Sequence, residues 1–197
     1  MKKAFKKNNY LFVYSFIVGI INLYLQILPL TNVFGYEFSA VNALILSFLS
    51  GLYTISFLKS KQKTEIGIDY IKLSSAFFLM LVLPFTISFV NSIFTGFCSF
   101  IDGILFYLVI TVPSVIIGCA LGFLVNFELK RIRVIAFIIL YLIILIISVL
   151  EIYFNPQVYL FSPLFAFFPG TIYDEGLVVD FKLILYRLTN KASSTFG

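Results

Sequence analysis

The chain reads as an all-α polytopic membrane protein, with about five transmembrane helices, a cytoplasmic N-terminus and a C-terminal region that leaves the helical pattern. Three observations predict this. Hydrophobic residues make up 61% of the 197 residues and charged residues only 12%, against about 45–50% and about 25% in a soluble domain. A chain this short has too little interior to hide so much apolar surface from water, and its mean hydropathy of +1.06 agrees. The apolar residues fall into runs of spanning length, and the basic residues gather on alternate connections between them. Composition thus excludes an ordinary cytosolic enzyme, a secreted disulfide scaffold and a disordered tail.

A span needs about 20 mostly apolar residues. The first, Tyr10 to Leu30, follows the basic start Lys2-Lys3-Ala4-Phe5-Lys6-Lys7. Its length and the absence of a small-x-small site after Leu30 favour an uncleaved helix over a signal peptide. The second, Ser39 to Leu58, is closed by Lys59-Ser60-Lys61-Gln62-Lys63, and the third runs from Leu73 to Asn91. The fourth, Ile104 to Val125, ends before a basic stretch that includes Lys130, Arg131 and Arg133. The fifth, Val134 to Leu150, has only Tyr141 and Ser148 as polar groups, so much of its surface is expected to face lipid. Residues 1–154 are therefore read as one membrane domain.

The charges orient it. If five helices alternate, eleven of the fourteen basic residues fall on one side: four at the N-terminus, four between spans two and three, three between spans four and five. The opposite connections hold only Glu37 and Asp102. Lys and Arg are enriched on the cytoplasmic side, which puts the N-terminus inside and the C-terminal region outside. The net charge of +5 is then a topology signal, and no nucleic-acid partner is expected. Tyr10, Tyr36, Tyr53, Tyr70 and Tyr153 fall near span ends, where interfacial anchors are expected. The excess of Lys over Arg, eleven to three, hints at an AT-rich bacterial genome, and the expected location is a bacterial inner membrane.

Residues 155–176 hold Pro156, Pro163 and Pro169 amid aromatic residues. Proline removes a backbone donor and breaks helices, so a re-entrant or interfacial loop docked on the bundle is expected. In 177–188 the apolar residues Leu177, Val179, Phe181, Leu183 and Leu185 alternate with others including Asp180, Lys182 and Tyr186, a strand period. A sixth span would bury Asp180, Lys182 and Arg187 at about 2.5–3.5 kcal/mol each near the bilayer centre. A short exposed strand or amphipathic helix is preferred, and residues 177–197 are expected to open a further extracytoplasmic domain or to end the chain as a frayed tail.

Catalytic chemistry is sparse. The chain has no histidine, and its two cysteines, Cys98 and Cys119, form no CxxC pair, so neither a metal site nor a cofactor is expected. Ionisable residues are nearly absent from the spans, against a proton relay. Polar candidates remain. Asn22 and Gln26 share a face of the first helix at a depth similar to Asn42 on the second, as an interhelical amide bond or as ligand contacts. Pro84 and Pro113 interrupt spans three and four beside Thr86, Ser88, Thr111 and Ser114. Paired proline-broken helices point to a transporter-type midplane site, although nearby hydroxyls also simply re-satisfy the freed backbone. Gly118-x-x-x-Gly122 is a short close-packing motif. Among the outer carboxylates, Asp174 and Glu175 are the candidates for ligand or acid–base chemistry.

The first functional expectation is a non-catalytic anchor or scaffold in the lipid bilayer, for a protein partner or a covalently continuous extracytoplasmic domain. The alternative is a small-solute transporter or membrane substrate-binding subunit using Asn22, Gln26, Asn42, Pro84, Thr111 and Pro113. A membrane enzyme with outer-face carboxylates comes third.

Overall fold

The structure, a computed structural model, describes residues 2–59, 66–95, 100–128, 132–154, 160–162 and 166–168. Helices α1 (Lys2–Leu25), α2 (Tyr36–Lys59) and α3 (Ile66–Thr95) come first. A continuous rod follows: α4 (Phe100–Phe106), a π-helical turn (Tyr107–Thr111) and α5 (Val112–Glu128). The last helix is α6 (Arg133–Phe154), followed by strands β1 (Leu160–Ser162) and β2 (Ala166–Phe168).

Four segments are long and apolar enough to cross a membrane: Tyr36–Lys59, Leu73–Phe94, Ile101–Glu128 and Arg133–Leu150. The shortest of them rises about 27 Å, close to the ~30 Å hydrocarbon core. The apolar part of α1, Tyr10–Leu25, rises only about 24 Å and stops short of the expected boundary at Leu30. The reason is Pro29. A proline disfavours α geometry at the residue before it, so the chain leaves the helix and Thr31 Oγ1 donates to the freed carbonyl of Leu25 at 2.6 Å.

Contacts give the helix directions. Tyr14 meets Tyr53 edge-on, whereas Val18 packs with Leu46, so α1 and α2 are antiparallel. Phe137 presses on Gly51 and Tyr141 bonds the Leu44 carbonyl, so α6 is antiparallel to α2. Gly118 lies on Ser47 and Gly122 on Gly51, so α5 runs parallel to α2. This alternation gathers the start of α1, Lys59, the beginning of α3 and Arg133 at one end of the bundle.

Central in the bundle is α2, which touches each of the other helices. Its small residues Ala43, Ser47 and Gly51 face Ser114, Gly118 and Gly122 of α5, both sets spaced four apart and hence on single faces. A Cβ on Gly118 would overlap the Ser47 carbonyl oxygen, and one on Gly122 would come within 2.6 Å of the Gly51 carbonyl oxygen. Two helices that share lipid as solvent gain little by hiding apolar area from it, so close backbone approach through small residues drives their association. Gly118-x-x-x-Gly122 is thus half of the tightest helix contact in the bundle.

By contrast α6 buries only Phe137, Tyr141 and Ser148 among its described side chains and exposes Ile135, Ile139, Ile143, Ile146 and Ile147, as expected of a lipid-facing helix. Two of the tyrosines expected as interfacial anchors are core residues instead. Tyr36 packs edge-on against Phe106 and Tyr53 lies between Tyr14, Phe57 and Phe77; the bundle offers these rings protein partners at that depth. Within the proline-rich stretch the described backbone is extended, not helical: β1 and β2 pair antiparallel, Leu160 opposite Phe168 and Ser162 opposite Ala166. Neither strand contains a proline, consistent with the backbone donor that residue lacks. Strand β1 lies against α6. Residues 177–197, for which a strand or amphipathic helix is expected, lie outside the described residues.

Candidate functional site

Val18, Leu46 and Val115 form one packed layer across α1, α2 and α5, with Leu81 and Leu83 of α3 against it. One helical turn toward the outer end, on the same faces, stand Asn22 on α1, Asn42 on α2 and Thr111 at the close of the π-turn. Ser88 of α3 lies just beyond, one turn past Pro84. All four of Asn22, Asn42, Ser88 and Thr111 are completely buried.

Helix-internal bonds decide what these groups present. Asn22 Nδ2 donates to the Val18 carbonyl and Asn42 Nδ2 to the Phe38 carbonyl, both at 3.0 Å. Each amide is thereby locked onto its own helix, and the expected interhelical amide bond is not made. The Oδ1 atoms of both asparagines are buried without a hydrogen-bond partner among the described residues, as is Ser88 Oγ. Gln26, in the turn just past the end of α1, has both amide atoms in the same condition. Thr111 Oγ1 donates to the Ser39 carbonyl at 3.0 Å, leaving its oxygen lone pairs as acceptors.

The two prolines flank the layer without breaking either helix. Pro84 is buried inside α3, where its ring removes the bond to Met80. Tyr107 Oη donates across to the adjacent Leu81 carbonyl at 2.7 Å, and Thr86 Oγ1 to Leu83 at 2.9 Å. Pro113 stands two residues after the π-turn, whose extra residue shifts the hydrogen-bond register before the proline that cannot donate. Ser114 Oγ then bonds the Ile110 carbonyl at 2.8 Å. Both prolines and Thr111 therefore help shape the site, and Thr86, exposed on the outside of α3, does not belong to it.

An aromatic cap that sequence reasoning did not single out closes the outer side. Phe34, Phe38, Phe85 and Tyr107 stack or tilt on one another at ring-centroid distances of 5.5 to 6.3 Å. Phe38 stands one turn out from Asn42 and Tyr107 one turn out from Thr111. The connection between α1 and α2 is fastened over this cap. Phe34 rests on Gly103, where a Cβ would come within 2.5 Å of its carbonyl oxygen, and Asn91 Nδ2 donates to the Asn32 carbonyl at 2.9 Å. The spacing of Phe38 and Tyr107 from Asn42 and Thr111 was the available signal, but four apart in an apolar helix is also ordinary packing.

Asp174 and Glu175 lie outside the described residues, as does Cys98. No group of three or more His, Cys, Asp or Glu side chains able to hold a metal occurs among the described residues. Comparison of the chain with protein-family models, curated proteins and solved structures finds no match.

Proposed function

We propose that this is a five-span protein of a bacterial inner membrane, N-terminus cytoplasmic and C-terminus extracytoplasmic, that binds a small polar solute in the outer half of its bundle as a carrier or as the membrane-bound binding subunit of one. Helix α1 supplies the fifth span; its exposed stripe Phe12, Phe16, Ile20 and Leu23 suits lipid, and the lysines at its start extend it to the interface. The alternation of the helices supports the orientation, since it places the basic segments together.

The observation that carries the solute reading is the pair of buried, unpartnered amide oxygens on Asn22 and Asn42. Leaving a buried acceptor unsatisfied costs about 1–3 kcal/mol, and such groups in a native structure call for an explanation. A π-turn beside them is a further feature common at functional sites. The solute reading ranks above a pure anchor for that reason. An anchoring role has one observation of its own, the β-hairpin strand seated against α6.

The test uses the full chain in nanodiscs, melted against a panel of neutral polyols, amides, sugars and amino acids in buffer free of sodium and potassium, and separately against simple salts. At least one class of compound is expected to raise the melting temperature of the wild type and to leave Asn42→Leu unmoved. Identical responses of the two proteins across both arms would sink the reading. The orientation is tested in a C98S/C119S background by an impermeant thiol reagent, which should label Val33→Cys from outside the cell and Lys61→Cys only after lysis.

A further inference from the structure

The chemistry of the layer narrows the bound species, resting on the solute-binding reading just given. Every group whose direction is set in the layer is an acceptor. The amide nitrogens of Asn22 and Asn42 are committed to the carbonyls of Val18 and Phe38, which admits only the amide orientation that aims Oδ1 away from the helix. The Thr111 proton is committed to Ser39. What remains is oxygen: two amide oxygens without partners among the described residues, and the hydroxyl lone pairs of Thr111. An anion would meet only like partial charge here. A divalent ion ordinarily requires carboxylates, and the layer has none.

Neutral oxygens brought to one depth on neighbouring helices, away from water, are suited to an alkali-metal cation, whose hydration shell amide and carbonyl oxygens replace. Hard oxygen ligands also exclude the softer transition metals. We propose that the polar layer between α1, α2 and the π-turn binds a dehydrated Na+ or K+ ion through Asn22 Oδ1 and Asn42 Oδ1, with Thr111 as a hydroxyl ligand. Gln26, one turn out, is free to offer its own oxygen at the entry side. The aromatic cap of Phe34, Phe38, Phe85 and Tyr107 shields the ion from outer water and strengthens its interaction with the oxygens.

The experiment measures binding of 22Na+ and 86Rb+ to the full chain in nanodiscs, beside melting curves in NaCl, KCl and N-methyl-D-glucamine chloride at equal ionic strength. The expected result is saturable binding of one ion and a melting temperature that rises by several degrees with that ion alone. Asn22→Leu and Asn42→Leu should each abolish both effects. If either leucine variant fails to fold, Asn42→Asp decides: a carboxylate at that position should tighten the cation by at least about tenfold. No isotope binding and equal melting in the three salts overturns the inference, while a neutral solute that still stabilises the wild type leaves the broader reading standing. Cation binding that survives both leucine variants also overturns it, by placing the ion elsewhere.

Discussion

The seam between α2 and α5 and the layer one turn outward are made of the same residue types, small or uncharged and polar, yet they treat hydrogen bonding in opposite ways. In the seam every hydroxyl is used. Ser47 bonds Leu44 and Tyr141, Ser50 bonds Ser47 and Val115, and Thr54 bonds Ser50 and the Cys119 thiol. In the outer layer, Asn22, Asn42 and Ser88 keep oxygens with no partner among the described residues. A bilayer supplies no water to make up such a deficit. Satisfied groups hold the helices together, and the unsatisfied oxygens are the observation on which the proposed site rests.

That contrast is broken most severely at the seam. Gly118→Val puts a branched side chain where even a Cβ overlaps the Ser47 carbonyl, and backbone cannot step aside as a flexible side chain would. Overpacking costs about 1–3 kcal/mol and occasionally more; here the expected outcome is near-complete loss of monodisperse protein in size-exclusion chromatography. Folding at wild-type yield would show that the seam is not the structural spine of the bundle.

The layer should respond with the opposite sign. Asn42→Leu, which keeps the branched outline of Asn in a bulkier side chain, removes an unpartnered buried acceptor and is expected to stabilise the ion-free protein by up to about 1–3 kcal/mol, read as a rise in melting temperature in N-methyl-D-glucamine buffer. A fall would mean that the amide oxygen is a structural bond after all, and the distinction between the two regions would collapse.

Tyr141→Phe gives a smaller effect back at the seam. It removes the phenol that reaches from α6 to the Leu44 carbonyl at 2.8 Å and the Ser47 hydroxyl at 2.9 Å. Membrane side-chain bonds average about 0.6 kcal/mol, so the expected loss is about 1 kcal/mol by thermal or denaturant unfolding. Smallest of all is Thr86→Val. Its hydroxyl is exposed and bonds only Leu83 of its own helix, so stability and ion response should stay within about 0.5 kcal/mol of wild type. A loss of ion binding there would extend the site to the lipid face of α3.

The spans were legible because charge and proline punctuate them. The fifth expected span, Val134 to Leu150, begins one residue after the observed start of α6 at Arg133, since the last basic residue marks the interface. At the end of α1 the error of five residues came from weighing the apolarity of Ile27, Leu28 and Leu30 above the backbone restriction of Pro29. Asn22, Asn42 and Thr111 were legible as candidates by residue type alone, polar atoms in apolar helices being expensive. Their partners were not, because the choice between a bond to a neighbouring helix and a bond to the i−4 carbonyl depends on rotamers that spacing does not encode.

Sequence alone determined that this chain belongs to the bilayer, that its helices alternate and that its positive charge collects at one end, since burial and charge transfer act residue by residue. Tertiary structure decided which faces meet. The helices are apolar nearly all round, so lipid and protein interior look alike to hydropathy, and only the steric demand at Gly118 and Gly122 and the hydrogen-bond accounting at Asn22 and Asn42 distinguish a close-packed face from one that leaves acceptors unpartnered among the described residues.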